Sequence, residues 1–336
     1  MLSRFLGRAL CDPRDVVFLQ LGFWITIVQV PFAIALIALG SFSWWLAAAY
    51  WAIWMVFFMD RYILMLHCVS HRPLFRGPFK LLNAYIPVVL GAFCGETPET
   101  YFAHHLGMHH KEANGLRDLS STMPYRRDSF LDWLKYFATF LFFGFPMLLR
   151  YLNSVGRVRI ARRALIGEPA FWAMVLAVGW FAGWQGAVVV FVVPVLVVRT
   201  LMMMGNWGQH AFVEPTDSAN SYRNSISCIN TRYNRRCFND GYHIVHHLRP
   251  ALHYTEMPGE FEANRARYGA ADAIVFDGLD YFQVWLYLMT GRYRRLARAF
   301  VHLPGAPARS EPEVIEFLKS RLQPITQENA PATVAA

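Results

Sequence analysis

Two long, predominantly apolar stretches near the amino terminus constrain this chain more than any other feature. They run from about Val16 to Leu39 and from Ser43 to Leu66, and each is long enough to cross a bilayer core, which takes about 20 helical residues. Only Gly40, Ser41 and Phe42 lie between them, which predicts a helical hairpin with a tight turn. Trp44, Trp45, Trp51 and Trp54 fall near that turn, where amphipathic rings favour the interface. A second hairpin is predicted from Pro169 to Met204, with Pro169 at a first helical position and the uncharged link Phe181 to Gly186 between its arms. With 55% hydrophobic and 16% charged residues among 336, the composition belongs to the membrane class.

Two further apolar runs are ambiguous. Phe79 to Cys94 contains Asn83, Pro87 and Gly91, and Phe130 to Leu149 has Asp132 and Lys135 on its opening turns. Lying in the interface or re-entering partway suits them as well as spanning. Neither short hairpin turn contains Lys or Arg, whereas the amino terminus and the stretches after Leu66 and Met204 have many. The positive-inside rule therefore places both termini and the polar segments in the cytoplasm. The opening MLSRFLGRALCDPRD has no apolar core of signal-peptide length, so a retained amino terminus is expected.

The expected architecture is all-α and integral to the membrane. Four transmembrane helices form two hairpins, about 16–66 and 169–204, beneath a cytoplasmic helical cap built from 67–168 and 205–304, with interfacial helices. Residues 1–304 make one domain; 305–336, rich in Pro, Ala and Glu, make a flexible tail with one short helix at Pro312 to Leu322. The charge of +9 implies a basic face toward anionic headgroups or substrates rather than nucleic acid, for which no motif is present. Cys11, Cys68, Cys94, Cys228 and Cys237 form no CxxC pair and read as reduced, mostly structural thiols.

Nine of the 12 histidines fall into a pattern: His67 and His71 in HCVSH, His105, His109 and His110 in HLGMHH, His210, and His243, His246 and His247 in HIVHH. A spacing of four places two imidazoles on one helix face. His67 and His71 would emerge where the second apolar helix leaves the bilayer. His105 and His109 repeat their geometry, with His110 turned about 100° toward a neighbouring metal. In the third cluster, spacings of three and four keep all three rings near one side. Nine imidazoles exceed what one zinc uses, since four ligands close a structural site and three leave a catalytic one open; they suit two ions. Imidazole binds iron, zinc, copper and nickel alike, so ligand type does not select the metal. HCVSH also lacks the glutamate of HExxH, which removes the general base of a membrane zinc protease.

In order, spacing and membrane placement, from about Leu21 to Pro258, these clusters resemble the membrane fatty acid desaturase and hydroxylase superfamily, with its HxxxH, HxxxHH and HxxHH boxes. NWGQHAFVEP looks like that family's additional ligand element. HIVHHLRPALHYTEMP is similar to the third box of acyl-lipid desaturases, with Arg249 where an aromatic residue is frequent. The resemblance implies a non-haem di-iron centre held by the nine histidines, with Asn206 as a water-mediated ligand and O2 as co-substrate. It implies removal of hydrogen from an unactivated methylene of a lipid-linked or carrier-linked fatty acyl chain. A second hydrogen loss gives the alkene and oxygen rebound the alcohol, and the ligand set permits both. A lipid, alkane, sterol or carotenoid monooxygenase fits the same scaffold. No iron-sulfur cysteine pattern, flavin fingerprint or fused haem motif is present, so a separate donor of ferredoxin, rubredoxin or cytochrome b5 type is implied.

Blander readings stand beside these. His104 fits a hydrogen-bond donor near the metal, a headgroup contact or an alternative ligand register. Asp60, near the helical face of His67 and His71, either hydrogen-bonds toward the site or pairs with Arg61 or a distant base. Glu96, Glu99, Asp118 and Asp240 could accept the second N–H of a metal-bound imidazole, although solvated loop acids are the commoner case. Asn206 suits a helix cap equally. His253 and His302 read as structural. Arg72, Arg76, Lys80, Arg117, Arg126 and Arg127 could grip a phosphate or carboxylate, or simply be positive-inside flanks. From a different class, a membrane metal carrier would use the histidines without redox chemistry.

Overall fold

The computed structural model describes residues 9–39 and 42–326. The turn expected at Gly40 and Ser41, the first eight residues and the tail from 327 lie outside the described residues. The chain divides into two compact units, one of Met1–Gly107 with Leu149–Thr200, the other of Met108–Leu148 with Leu201–Ala336. In chain order the long helices are α1 (Pro13–Ala38), α2 (Trp44–His71), α3 (Gly77–Cys94), α4 (100–112), α5 (Phe130–Ser154), α6 (Val158–Ala182) and α7 (Trp184–Gln209). By length and composition α1, α2, α3, α6 and α7 are each able to cross a membrane.

In the first unit, α1 gives Ala33 and Leu36, α2 gives Ala47 and Tyr50, α6 gives Phe171 and Val175, and α7 gives Val190 and Val195 to one core. Small residues at the contact let the helices approach closely. Ile34, Phe57 and Leu176 point outward and are more than half exposed, which suits a lipid-facing surface and no aqueous one. Trp44, Trp45, Trp180 and Phe181 are exposed at the hairpin ends, as an interfacial aromatic belt requires. Ser43 starts α2 by accepting a hydrogen bond from the Leu46 N–H. The helix then runs on through His67 to His71, so both rings leave the apolar run on a continuous helix.

The second hairpin differs from expectation at its start. Helix α6 begins at Val158, eleven residues before the expected Pro169, and Pro169 lies inside it. The reason is packing: Ala161, Ala164 and Glu168 are buried, and this arginine-rich first half lies along α4. Gly107 carbonyl accepts from Arg157, Arg163 pairs with Glu99 at 2.8 Å, and a Cβ at Gly167 would collide with the Pro98 carbonyl. Tertiary contacts hold helical a turn that the proline alone would end.

The apolar run expected at Phe79 to Cys94 is α3, which mixes 3-10, π and α turns. Asn83, polar in an apolar run, clamps the preceding chain: its Oδ1 accepts from Phe75 N and its Nδ2 donates to Phe75 O, both at 2.9 Å. Tyr62 of α2 donates to Ile86 O at 2.9 Å. Helix α3 ends at Gly95 (φ 89°), where a Cβ would sit 2.5 Å from Pro194 O, so glycine is needed for both conformation and clearance.

In the second unit, α5 is amphipathic and is not among the helices able to span. Trp133 and Tyr136 pack on Met203 and Trp207, while Leu131, Phe142 and Phe143 are exposed, the division expected of an interfacial helix. Two short strands, β1 (Ser227–Ile229) and β2 (Val275–Asp277), pair in parallel with Cys228 opposite Phe276, a small addition to the all-α expectation. Between them in the chain lies α8 (His243–Leu248), and α9 (Tyr281–Met289) and α10 (Glu311–Ser320) follow β2. Within the segment expected to be flexible, residues 305–326 are packed. Helix α10 carries a Ser310–Glu313 capping box, and Val314, Leu318 and Leu322 meet Phe276 and Leu288. Their spacing of four makes one apolar face, and Arg309 holds Asp272 through both oxygens at 2.7 and 2.5 Å.

Candidate metal centre

The second unit gathers His109, His210, His243 and His247, whose nearest ring nitrogens all lie within 4.8 Å of one another. His243 Nε2 is 3.2 Å from His210 Nε2 and 3.0 Å from His247 Nε2. His210 is fully buried and His109 and His243 nearly so. Each ring arrives by a short local device. His109 follows Gly107 and Met108 in the π turn His105–His109 of α4. His210 is the first residue past α7, with its carbonyl accepting from Thr122 Oγ1 at 2.6 Å. His243 and His247 stand one turn apart on α8, whose start is braced by Tyr281 OH donating to Gly241 O at 2.8 Å.

The far sides of two rings are fixed. His210 Nδ1 is 2.8 Å from the Asn224 carbonyl, so it carries the hydrogen and leaves Nε2 as a bare lone pair. His109 Nδ1 is 2.7 Å from Asp118 Oδ2, an acceptor that fixes the ring in the same way. The Asp118 carboxylate is itself held by Ser120 N at 2.8 Å, Ser120 Oγ at 2.7 Å and Asn114 N at 3.2 Å. Burial and then the neighbouring His109 push His210 down to about 3, against the opposing Asn224 carbonyl and Asp118. Burial and the His243, His210, His109 and His110 rings hold His247 well below the usual imidazole range. Neutral His210 and His247 thus converge with His109 and His243, and one N–H at His243 Nε2 cannot satisfy both His210 and His247. A cation at that point matches the donor set.

Two other groupings complete the pattern. In the second unit His110 Nε2 lies 2.8 Å from His246 Nε2. In the first, His71 Nε2 lies 2.9 Å from His105 Nε2, with the His67 ring 4.7 Å from His105 and 5.3 Å from His71 between centroids. The expectation that His105 and His109 act as a same-face pair therefore needs correction: His105 groups with His67 and His71, and His109 with His210, His243 and His247. The π turn between them is the physical cause, since its i→i+5 bonding rotates position i+4 off the α-helical face. In α8 the α-helical spacing holds, with His243 and His247 together and His246 turned toward His110.

Of the remaining candidates, Asp118 is buried against His109, not solvated. Asp240 accepts from Gln209 Nε2 at 3.2 Å and Tyr233 OH at 2.8 Å. Asn206 donates to Ser120 O at 2.9 Å and Tyr136 OH at 2.7 Å, bracing the Asp118 turn. His104 stands outside the histidine groupings, Asp60 accepts from the Arg61 backbone N–H at 2.8 Å, and Glu99 is taken by Arg163. Arg127 grips neither lipid nor substrate. It is fully buried and donates to carbonyls of Ala211, Thr122, Met123, Tyr125, Arg321 and Gln323, and burial, partly offset by Asp128, pushes it down to about 9. The Asn224 carbonyl was invisible to motif reading because any residue type supplies one.

The family described as Fatty acid desaturase matches this chain over residues 43–278, well over half its length. No curated protein and no solved structure matches it.

Proposed function

Because the chain belongs to the fatty acid desaturase family, we propose that it is an O2-dependent di-iron enzyme that introduces a double bond into a membrane-borne acyl chain. The observation that carries this reading is the set of four convergent imidazoles with Asp118 and the Asn224 carbonyl behind two of them. That set is offered to one iron. His67, His71 and His105, with the His110 and His246 pair, are the donors that remain. Iron and O2 would supply the oxidising power that no acid or base side chain has. The protein's own share is to hold neutral rings in fixed tautomers and to keep the surroundings dry. Electrons come from a separate protein.

We further propose four membrane crossings, with α3 re-entering. His71 and His105 flank α3 and their rings touch, so the chain returns to the level it left. From Gly95, five extended residues and five helical ones reach about 25 Å, short of an apolar core of about 30 Å. The apex at Gly95 meets Pro194, ten residues and therefore about 15 Å before the far end of α7. The concentration of Lys and Arg outside the hairpin turns supports a cytoplasmic histidine-bearing side.

Mass spectrometry of lipids from cells carrying wild type or His247→Ala tests the activity. A product two hydrogens lighter than its precursor, present only with wild type, is expected. A hydroxylated product redirects the reading to oxygen transfer, and unchanged lipids with transmembrane metal flux would replace it with a metal carrier.

A further inference from the structure

Inside the first unit, α6 and α7 carry a buried ion pair away from the histidines. Glu168 Oε1 is 2.8 Å from Arg199 Nη2. The Glu168 side chain is buried and the Arg199 side chain mostly so, on helices apolar enough to span. Charges withdrawn from water to this extent are costly unless they are paired and hydrogen-bonded. The other Glu168 oxygen faces neither helix. Oε2 accepts from Thr97 Oγ1 and, at 2.8 Å, from Thr100 Oγ1, while Oε1 also accepts from Trp172 Nε1 at 3.0 Å and Arg199 Nη2 reaches Thr97 Oγ1 at 3.3 Å.

Thr97 and Thr100 belong to the link between the α3 apex and α4, and Thr100 opens the helix that carries His105 five residues later. The link is conformationally demanding, with Glu99 at φ 67°, a region costly for a residue with a Cβ. Something must hold it, and besides Arg199 on Thr97 the contacts come from α6: Gly167 beneath Pro98, Glu168 beneath both threonines and Arg163 on Glu99. We propose that Glu168, paired with Arg199, is a positioning residue that anchors the entry of the second histidine helix through Thr97 and Thr100 and so fixes His105 for metal. This rests on the metal-centre reading above.

A simple staple between α6 and α7 would use the same ion pair, and two variants separate the roles. Glu168→Gln keeps an oxygen for the hydroxyls but leaves Arg199 without its counter-charge; Glu168→Leu with Arg199→Leu removes the charges in balance and the acceptor with them. Positioning predicts that the Gln variant retains most of its iron and the Leu pair loses about one iron of two per chain. A staple predicts the reverse order, which overturns the proposal. Thr97→Val with Thr100→Val leaves the ion pair untouched and covers a misfolded Leu pair. In metal-free protein its amides across 97–104 should exchange at least about tenfold faster, as expected when hydrogen bonds to a charged group are lost. Unchanged exchange, or faster exchange with full iron, overturns the role. Wild-type protein without iron would instead sink the metal-centre reading on which the role rests.

Discussion

Replacing Asp118 by Asn probes the part of the centre that most depends on chemistry beyond the histidines. Asp118 Oδ2 accepts the His109 Nδ1 hydrogen at 2.7 Å and no solvent reaches its carboxylate. Asn keeps a carbonyl oxygen of the same reach but removes the charge. A hydrogen bond to a charged group contributes roughly 1.5–3 kcal/mol and a neutral one about 1 kcal/mol, so roughly 1–2 kcal/mol of support for His109 is lost. That corresponds to about five- to thirtyfold in metal affinity, overlapping the lower part of the range of about 10–100-fold known when partners behind metal-bound imidazoles are changed. The side chain also holds Ser120 and the Asn114 N–H; Ala would orphan all of these buried donors, whereas Asn keeps its oxygen for His109 and orphans chiefly the Ser120 N–H that its own amide then faces, so folding stability is read separately from binding. Iron retained per chain against a graded chelator series is the assay. Release at roughly tenfold lower chelator strength is expected, and the melting temperature in chelator excess, lowered by the one orphaned donor, separates the folding cost from the loss of affinity. Affinity within about twofold of wild type would refute the claim that Asp118 fixes the His109 ring.

Two other outcomes follow from the same geometry. Arg127→Lys cannot reach the carbonyls that the guanidinium fork meets and leaves several unpaired in a buried site; a loss of about 3 kcal/mol or more should lower the melting temperature markedly, and an unaltered one would contradict the keystone role. His247→Ala should cut iron by about one per chain with the remaining ion retained, whereas loss of both or neither would contradict a self-contained four-histidine set.

How much of this was legible in the residues depended on whether side chains or backbone carried the information. The spans were readable because twenty apolar residues in water have no other solution, and His67 with His71 because an α-helix converts spacing into direction. His105 and His109 defeated the same rule, since the π turn at His105–His109 reflects packing of Gly107 against Leu152 and Ile160, not a local propensity. Pro169 misled for a related reason: contacts along α6 outweigh one missing hydrogen bond. Asp118 looked like a loop acid because its burial is made by Asn114 and Ser120 folding round it. Arg127, in the sequence YRRD, had every mark of a membrane flank, and only long-range carbonyls from 211, 321 and 323 reveal its place.

The central claim is a centre of two irons on this chain, and metal counting tests it directly. Elemental analysis of protein purified in detergent from iron-supplied cells should give about two irons per chain, falling by about one in His243→Ala and showing no comparable zinc or copper. One metal per chain, or zinc in place of iron, would contradict it.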